Sequence, residues 1–455
     1  MKFLLKVLLL SLALILCNCE TVTKVWTKLS GTSTDEGGVG VAVDKVSRNV
    51  YVTGQTKGDL DGQINASYGT YDIFLIKYSA DGDKLWTRLA GTFGDDYPSG
   101  ILVDNNGNCF ITGRTHGNLD GQINAGGTDV FVMMYTPTGE KMWTRLSGTP
   151  SNEVVSGIAI DNLNNLYISG STWGNLDGET NAGDADAFVI KYSYTGTKIW
   201  TRLVGSSATQ YGGGISIDSN NDIYLTGETQ ESLDGQLFAG GPSDIFVVKF
   251  SAVGNKLWTR LVGSESFDTG TALSVGIDGS VYVTGFTSGN LDGQSNAGSH
   301  DIFLMKMSTS GTKIWTRLSG SSGEDRSFGI SVDTSGNIYL TGDTYGSLDG
   351  ETYFGITDIF VMKYSSDGTK ISTKQSGTMS VDGGYGISVD TSGNAYITGN
   401  TYGNLDGELH AGGVSDTFVM KYFYEGTTLL LFYYYDYYCY YYFYYYYNYY
   451  YYHYY

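Results

Sequence analysis

The sequence predicts an all-β protein: a closed seven-bladed β-propeller of four-stranded blades, in which an N-terminal strand, residues 25–31, completes the last blade. Three observations carry this. A Trp-Thr-(Lys/Arg)-Leu segment recurs every 57 to 60 residues, at Trp26, Trp86, Trp143, Trp200, Trp258 and Trp315, with Ser372 in the seventh place. Self-similarity at such a period marks a stacked or closed array. Four strand-like pieces recur within each period. The first three pieces and the fourth occur seven times each but out of step, so the chain opens on a fourth strand and its last unit lacks one.

The sixth unit shows the pieces clearly: GISVD (329–333), NIYLTG (337–342), DIFVMKYS (358–365) and KISTKQSG (370–377). First strands are expected to start near 39, 100, 157, 214, 272, 329 and 386. Gly336 and Gly368 supply the positive φ that the two short hairpins need. The other two links are long: one joins the second strand to the third, the other joins one unit to the next. In the third strand Phe74, Ile76 and Tyr78 alternate with Ile73, Leu75 and Lys77. Both faces are largely apolar, so each sheet must be covered on both sides, as a propeller blade is. If the ring closes, VWTKLSG (25–31) pairs with DTFVMKY (416–422) and removes a free edge. The 64 glycines and few prolines of the 455-residue chain suit many short strands joined by turns.

The ends are different in kind. Lys2, Lys6 and the apolar run 7–16 read as a signal peptide over 1–19, too short to span a membrane. Cys19, after Asn18, is the expected lipidation site of a lipoprotein signal. Cys17 is the alternative, and cleavage without lipid stays open. Cys109 stands where sister units carry Val50, Leu166 or Ile223, which makes it a buried apolar residue rather than a catalytic thiol. Residues 429–455 form a low-complexity Tyr-rich tail, expected to be disordered and to add nothing to the propeller. The propeller itself is expected over 25–424.

VDTSGNIYLTGDT, DIFVMKYS and GTKIWTRLSG, at fixed distances, resemble the SBBP family, the bacterial seven-bladed beta-propeller repeat. The resemblance implies an exported, often surface-associated propeller with no established catalytic activity. Two units depart from the pattern: Gly276 replaces the aspartate of its sisters, and Ser372 replaces tryptophan.

Candidate sites follow from the loops. Both long links lie on one face, and binding residues concentrate on loops over a rigid scaffold. These loops repeat Leu-Asp-Gly, with Asp61, Asp120, Asp177, Asp234, Asp292, Asp349 and Asp406. A second aspartate opens each third strand, at Asp72, Asp129, Asp186, Asp244, Asp301, Asp358 and Asp416. Pairs such as Asp61 with Asp72, or Asp120 with Asp129, can hold Ca²⁺. The alternative is an Asp-Gly turn plus a carboxylate capping backbone N–H groups. Arg88, Arg145, Arg202, Arg260 and Arg317, with the third-strand lysines, are expected to pair with carboxylates or lie along the blade surface. His116, His300 and His410 sit in three different blades, and no spacing supports a shared metal. SADGDKLW (79–86) resembles the Asp-box hairpin of sialidases, but its glycine comes one place early. No GxSxG, HExxH or P-loop occurs.

A net charge of −20 argues against a nucleic-acid partner and against docking onto anionic lipid. The expectation is a non-enzymatic, monomeric binding scaffold for a protein or a glycan, touching membrane only through its lipid anchor. Its expected place is the bacterial cell envelope, as an outer-membrane lipoprotein. An enzyme with a site over the central channel and a purely structural envelope protein are the alternatives. No catalytic residue and no cofactor other than Ca²⁺ is named.

Overall fold

The computed structural model describes residues 21–425. The expected signal 1–19 and tail 429–455, with Cys17, Cys19, Cys439 and His453, lie outside the described residues. Lys24–Tyr422 forms one compact unit.

Seven antiparallel four-stranded sheets make up the fold. Blade 1 runs outward through Glu36–Val43, Val50–Thr56, Asp72–Tyr78 and Lys84–Ala90. Blades 2 to 6 repeat this order, with first strands at Asp96–Val103, Glu153–Ile160, Gln210–Ile217, Asp268–Val275 and Asp325–Val332. Each first strand packs beside the first strand of the next blade, and that of blade 7 (Asp382–Val389) returns to that of blade 1, so the ring is closed.

Closure occurs as the repeat offset predicts. The last sheet is ordered with Thr21–Ser30 outermost, then Asp416–Glu425, Ala395–Thr401 and Asp382–Val389. The N-terminal strand makes the contacts its sisters make. Thr27 donates its hydroxyl to Asp406 (2.5 Å) and Lys24 reaches the same carboxylate (2.6 Å). In blade 1 Thr87 and Lys84 bind Asp61 in the same way, at 2.6 and 2.8 Å.

One expectation needs correction. First strands begin three or four residues upstream of the positions read from the sequence. Each carries a register shift early in its run, for instance between Gly38 and Gly40 or Ser327 and Gly329. A bulge inserts an extra residue and reverses the inward–outward alternation. The segment before it therefore does not read as a continuation of the strand.

The core lies between blades. Tyr51, Ile73 and Leu75 of blade 1 pack on Cys109, Ile111, Phe131 and Met133 of blade 2, and every residue of Asp72–Tyr78 is buried. Cys109 is fully buried, and burial pushes its thiol up. The repeated arginines staple neighbours together. Arg88 stacks on Trp86 (5.1 Å) and donates Nε–H to the Gly139 carbonyl of the next blade's outer hairpin (2.9 Å). Arg145, Arg202, Arg260 and Arg317 do the same to Gly196, Gly254, Gly311 and Gly368. Of the two placements expected, lying along the blade surface describes most of them: their main partners are carbonyl oxygens, because the hairpin glycine leaves its backbone bare beside the tryptophan, while Arg202 also reaches the Glu179 carboxylate (3.2 Å). Trp26 takes this place between blades 7 and 1, with its indole N–H toward the Ala80 carbonyl (3.4 Å).

Candidate functional site

On the long-loop face the two repeated aspartates have separate structural duties. Asp61 sits at φ 51°, a left-handed conformation open to Asp and Asn in turns. Leu60 beside it is buried as a plug and Gly62 completes the turn. Both Asp61 oxygens take the Lys84 ammonium (2.9 and 2.8 Å). Asp120 binds Lys141 and Thr144, each at 2.6 Å. The second aspartate points elsewhere: Asp72 Oδ2 accepts the Ala66 N–H (2.6 Å) and Asp129 Oδ2 the Ala125 N–H (2.8 Å). Their Oδ1 atoms are buried with no hydrogen-bond partner, as are those of Asp186, Asp244, Asp301, Asp358 and Asp416. Each lies against the glycine that ends a fourth strand; a Cβ on Gly91 would stand 2.0 Å from Asp72 Oδ1. Burial raises all these carboxyls, Asp72 and Asp244 to about 6. Asp61 and Asp72 thus hold different partners, with a lysine ammonium in the cation position beside Asp61. Among the described residues no group of three or more His, Cys, Asp or Glu is disposed to hold a metal.

The residues that break the repeat are elsewhere on this face, around the channel mouth, where first strands begin and second strands end. One second-strand position reads Gln55, Arg114, Ser171, Glu228, Phe286, Asp343 and Asn400 in blades 1 to 7. Its cross-strand partner varies as strongly: Tyr97 faces Arg114, Tyr211 faces Glu228 and Arg326 faces Asp343. In blade 6 Arg326 grips Asp343 through two bonds, Nε to Oδ1 at 3.0 Å and Nη2 to Oδ2 at 2.8 Å. The guanidinium lies 5.7 Å from the Phe328 ring and 5.5 Å from that of Tyr345. Burial pushes the Asp343 carboxyl up, and the guanidinium opposes that rise. A bidentate pair of this kind fixes both planes.

Aromatic rings run from blade 5 to blade 7 beside this pair. Phe267 and Phe286 are stacked (5.9 Å between centroids), Phe286 meets Phe328 edge-on (6.4 Å), and Phe328 meets Tyr385 (5.5 Å). A second, smaller group lies in blades 1 and 2, where Tyr71 meets Tyr97 (5.2 Å) and Arg114 lies over Tyr97 (5.1 Å). The histidines are distributed among these groups: His116 edges Tyr97 and His300 edges Phe286, while His410 stands near Asp416 in blade 7. Arg114 and Arg326 thus belong to different clusters. Arg48, at φ 62°, occupies a first-to-second hairpin on the other face. These clusters escape sequence reading because Tyr97, Phe267, Arg326, Phe328 and Tyr385 sit upstream of the apparent strand starts. Comparing the residue before the final Thr of each second strand would expose them.

The family model for the SBBP beta-propeller repeat matches residues 85–120, 143–177, 199–234, 314–349 and 374–406. Five stretches of the chain are SBBP beta-propeller repeats. Each SBBP match runs from within an outer strand, through the first two strands of the following blade, to the aspartate of the Leu-Asp-Gly turn. The recurring sequence unit therefore straddles two blades, as the closure requires. Relatives include an uncharacterized WD repeat-containing protein of Acanthamoeba polyphaga mimivirus, 23% identical, with 73% of this chain and 31% of that protein covered. Another is the regulatory protein FlaEY of Caulobacter vibrioides, 25% identical, with 69% of this chain and 36% of that protein covered. The chain thus spans about a third of the length of these curated relatives. Among solved structures, the polysaccharide lyase Uly1 superimposes with a TM-score of 0.50 at 11% identity, covering 84% of this chain and 89% of that one. That likeness is one of fold alone.

Proposed function

We propose that this propeller is a binding scaffold of the cell envelope, exported and lipid-anchored through Cys19, that engages a protein or a glycan on its long-loop face. The carrying observation is the placement of the residues that break the repeat. Rings and fixed polar groups differ from blade to blade around one mouth of the channel, whereas the Lys and Thr of the outer strand hold the Leu-Asp-Gly aspartate in the same way in all seven blades. A purely structural disc has no need of such asymmetry. Side chains presented from strands are also pre-organised, which lowers the entropic cost of binding.

The test is a screen of the full chain against immobilised matrix proteins and polysaccharides, followed by two sets of substitutions. One set changes Tyr97, Arg114 and Tyr385 on the long-loop face; the other changes Asn106, Leu163 and Asn220 in the opposite hairpins. Binding should be lost only with the first set, and loss with the second alone refutes the assignment. The anchor is tested by fatty-acid labelling in the native host, which Cys19→Ser should abolish.

A further inference from the structure

We infer that the shelf formed by Phe267, Phe286, Phe328 and Tyr385, bordered by the Arg326–Asp343 pair, is a subsite for a neutral saccharide. The inference rests on the long-loop face being the binding face, and adds the class of ligand and its place.

The geometry favours a ligand with flat apolar faces. The rings form a continuous series across three blades, with neighbouring centroids 5.9, 6.4 and 5.5 Å apart. All four are half-buried, so each keeps some surface open to solvent. Phe328 and Tyr385 occupy a first-strand position that holds Val39, Ser99, Ser156, Gly213 and Thr271 in the other blades. The core therefore does not require an aromatic there. Stacking surfaces of this kind serve nucleobases as well as sugars, but nucleobases come with phosphates. The one arginine of the shelf is spent on Asp343, Glu324 stands nearby, and the chain carries a net charge of −20. An anionic strand would have no counter-charge.

The polar groups around the shelf complete the match. Tyr345 and Tyr402 are exposed (39% each). The Tyr385 hydroxyl and Asn400 Oδ1 flank Gly383, whose added Cβ would stand 3.0 and 3.4 Å from them. Asn400 Oδ1 is buried beside that hydroxyl and has no hydrogen-bond partner. A pyranose presents C–H faces to the rings and hydroxyls at its edge, which suits a π surface bordered by the exposed Tyr345 and Tyr402.

The test is affinity electrophoresis of the full chain through gels that contain a mixed-linkage glucan, a galactomannan, a xylan or a polyuronate. At least one neutral polysaccharide should retard the protein, and the polyuronate should not. Phe328→Leu and Tyr385→Leu keep apolar bulk but remove the flat face; each should weaken retardation about tenfold with the melting temperature held. Phe328→Tyr should restore it and also controls for any folding defect of the leucine variant. Retardation by the polyuronate alone, by no polysaccharide, or unaltered in both leucine variants overturns the saccharide subsite. If Tyr97→Leu abolishes retardation while Phe328→Leu does not, the subsite is wrong but the face stands. If changes at Asn106 and Leu163 abolish it, the face is wrong as well.

Discussion

Lowering the pH from 7.5 to 5.5 should stabilise this propeller, against the common expectation for an acidic protein. The reason is the ring of buried carboxyls, one opening each third strand, whose Oδ1 atoms pack on glycine without a hydrogen-bond partner. For Asp72 and Asp244 burial raises the pKa from 3.8 to about 6. A raised carboxyl binds its proton more tightly in the folded state. Its contribution to stability is complete below the unfolded value near 3.8 and is lost as pH rises through about 6. A rise of this size corresponds to at most ~3 kcal/mol per group at neutral pH. Loop relaxation and water access reduce that to about 1 kcal/mol, and seven-fold repetition makes the sum measurable. The assay is urea unfolding by tryptophan fluorescence at both pH values, in the native chain and in Asp72→Asn. The amide keeps an acceptor for the Ala66 N–H but cannot ionise. The native midpoint should rise at pH 5.5, and Asp72→Asn should gain about 1 kcal/mol at pH 7.5 and nothing at low pH. A native midpoint that falls or stays level at pH 5.5 refutes the reasoning.

Four further substitutions test local contacts. Gly91→Ala places a Cβ 2.0 Å from Asp72 Oδ1 and should cost more than ~2 kcal/mol by denaturant titration. Gly62→Ala, with nothing within 4 Å but φ +77°, should cost only about 1 kcal/mol. Arg48→Gly should stabilise by about 1 kcal/mol, because Arg48 holds φ 62° where other blades place glycine or asparagine. Trp26→Ala should lower stability by about 2 kcal/mol, as much as Trp143→Ala does, since both indoles pack beneath a neighbouring hairpin. If Trp26→Ala is silent in calorimetry, the N-terminal strand is not a full member of the ring.

Much of this architecture is legible in the chain because a repeat reports each structural need seven times. The offset between VWTKLSG and DTFVMKY predicts the closure, and Lys24 and Thr27 then take up Asp406 as Lys84 and Thr87 take up Asp61. That partnership was also open to reading, since Lys-x-x-Thr accompanies Leu-Asp-Gly in every blade, even where Ser372 has replaced tryptophan. The bulges were not legible: an inserted residue breaks the period of two on which strand reading depends. The candidate site was hidden for a related reason. Phe286, Phe328 and Tyr385 are 42 and 57 residues apart in sequence and meet only once the blades are in register. Repetition makes the scaffold conspicuous, and the same repetition makes single departures from it look like noise.

The central claim is that the repeat-breaking residues of the long-loop face are the working surface. Hydrogen exchange of the full chain with and without its captured ligand tests this most directly. Protection should fall on the first-strand starts and second-strand ends, around residues 267–269, 324–328, 343–345, 383–385 and 400–402. Protection confined to the opposite hairpins, around 104–108, 161–165 and 218–222, would contradict it.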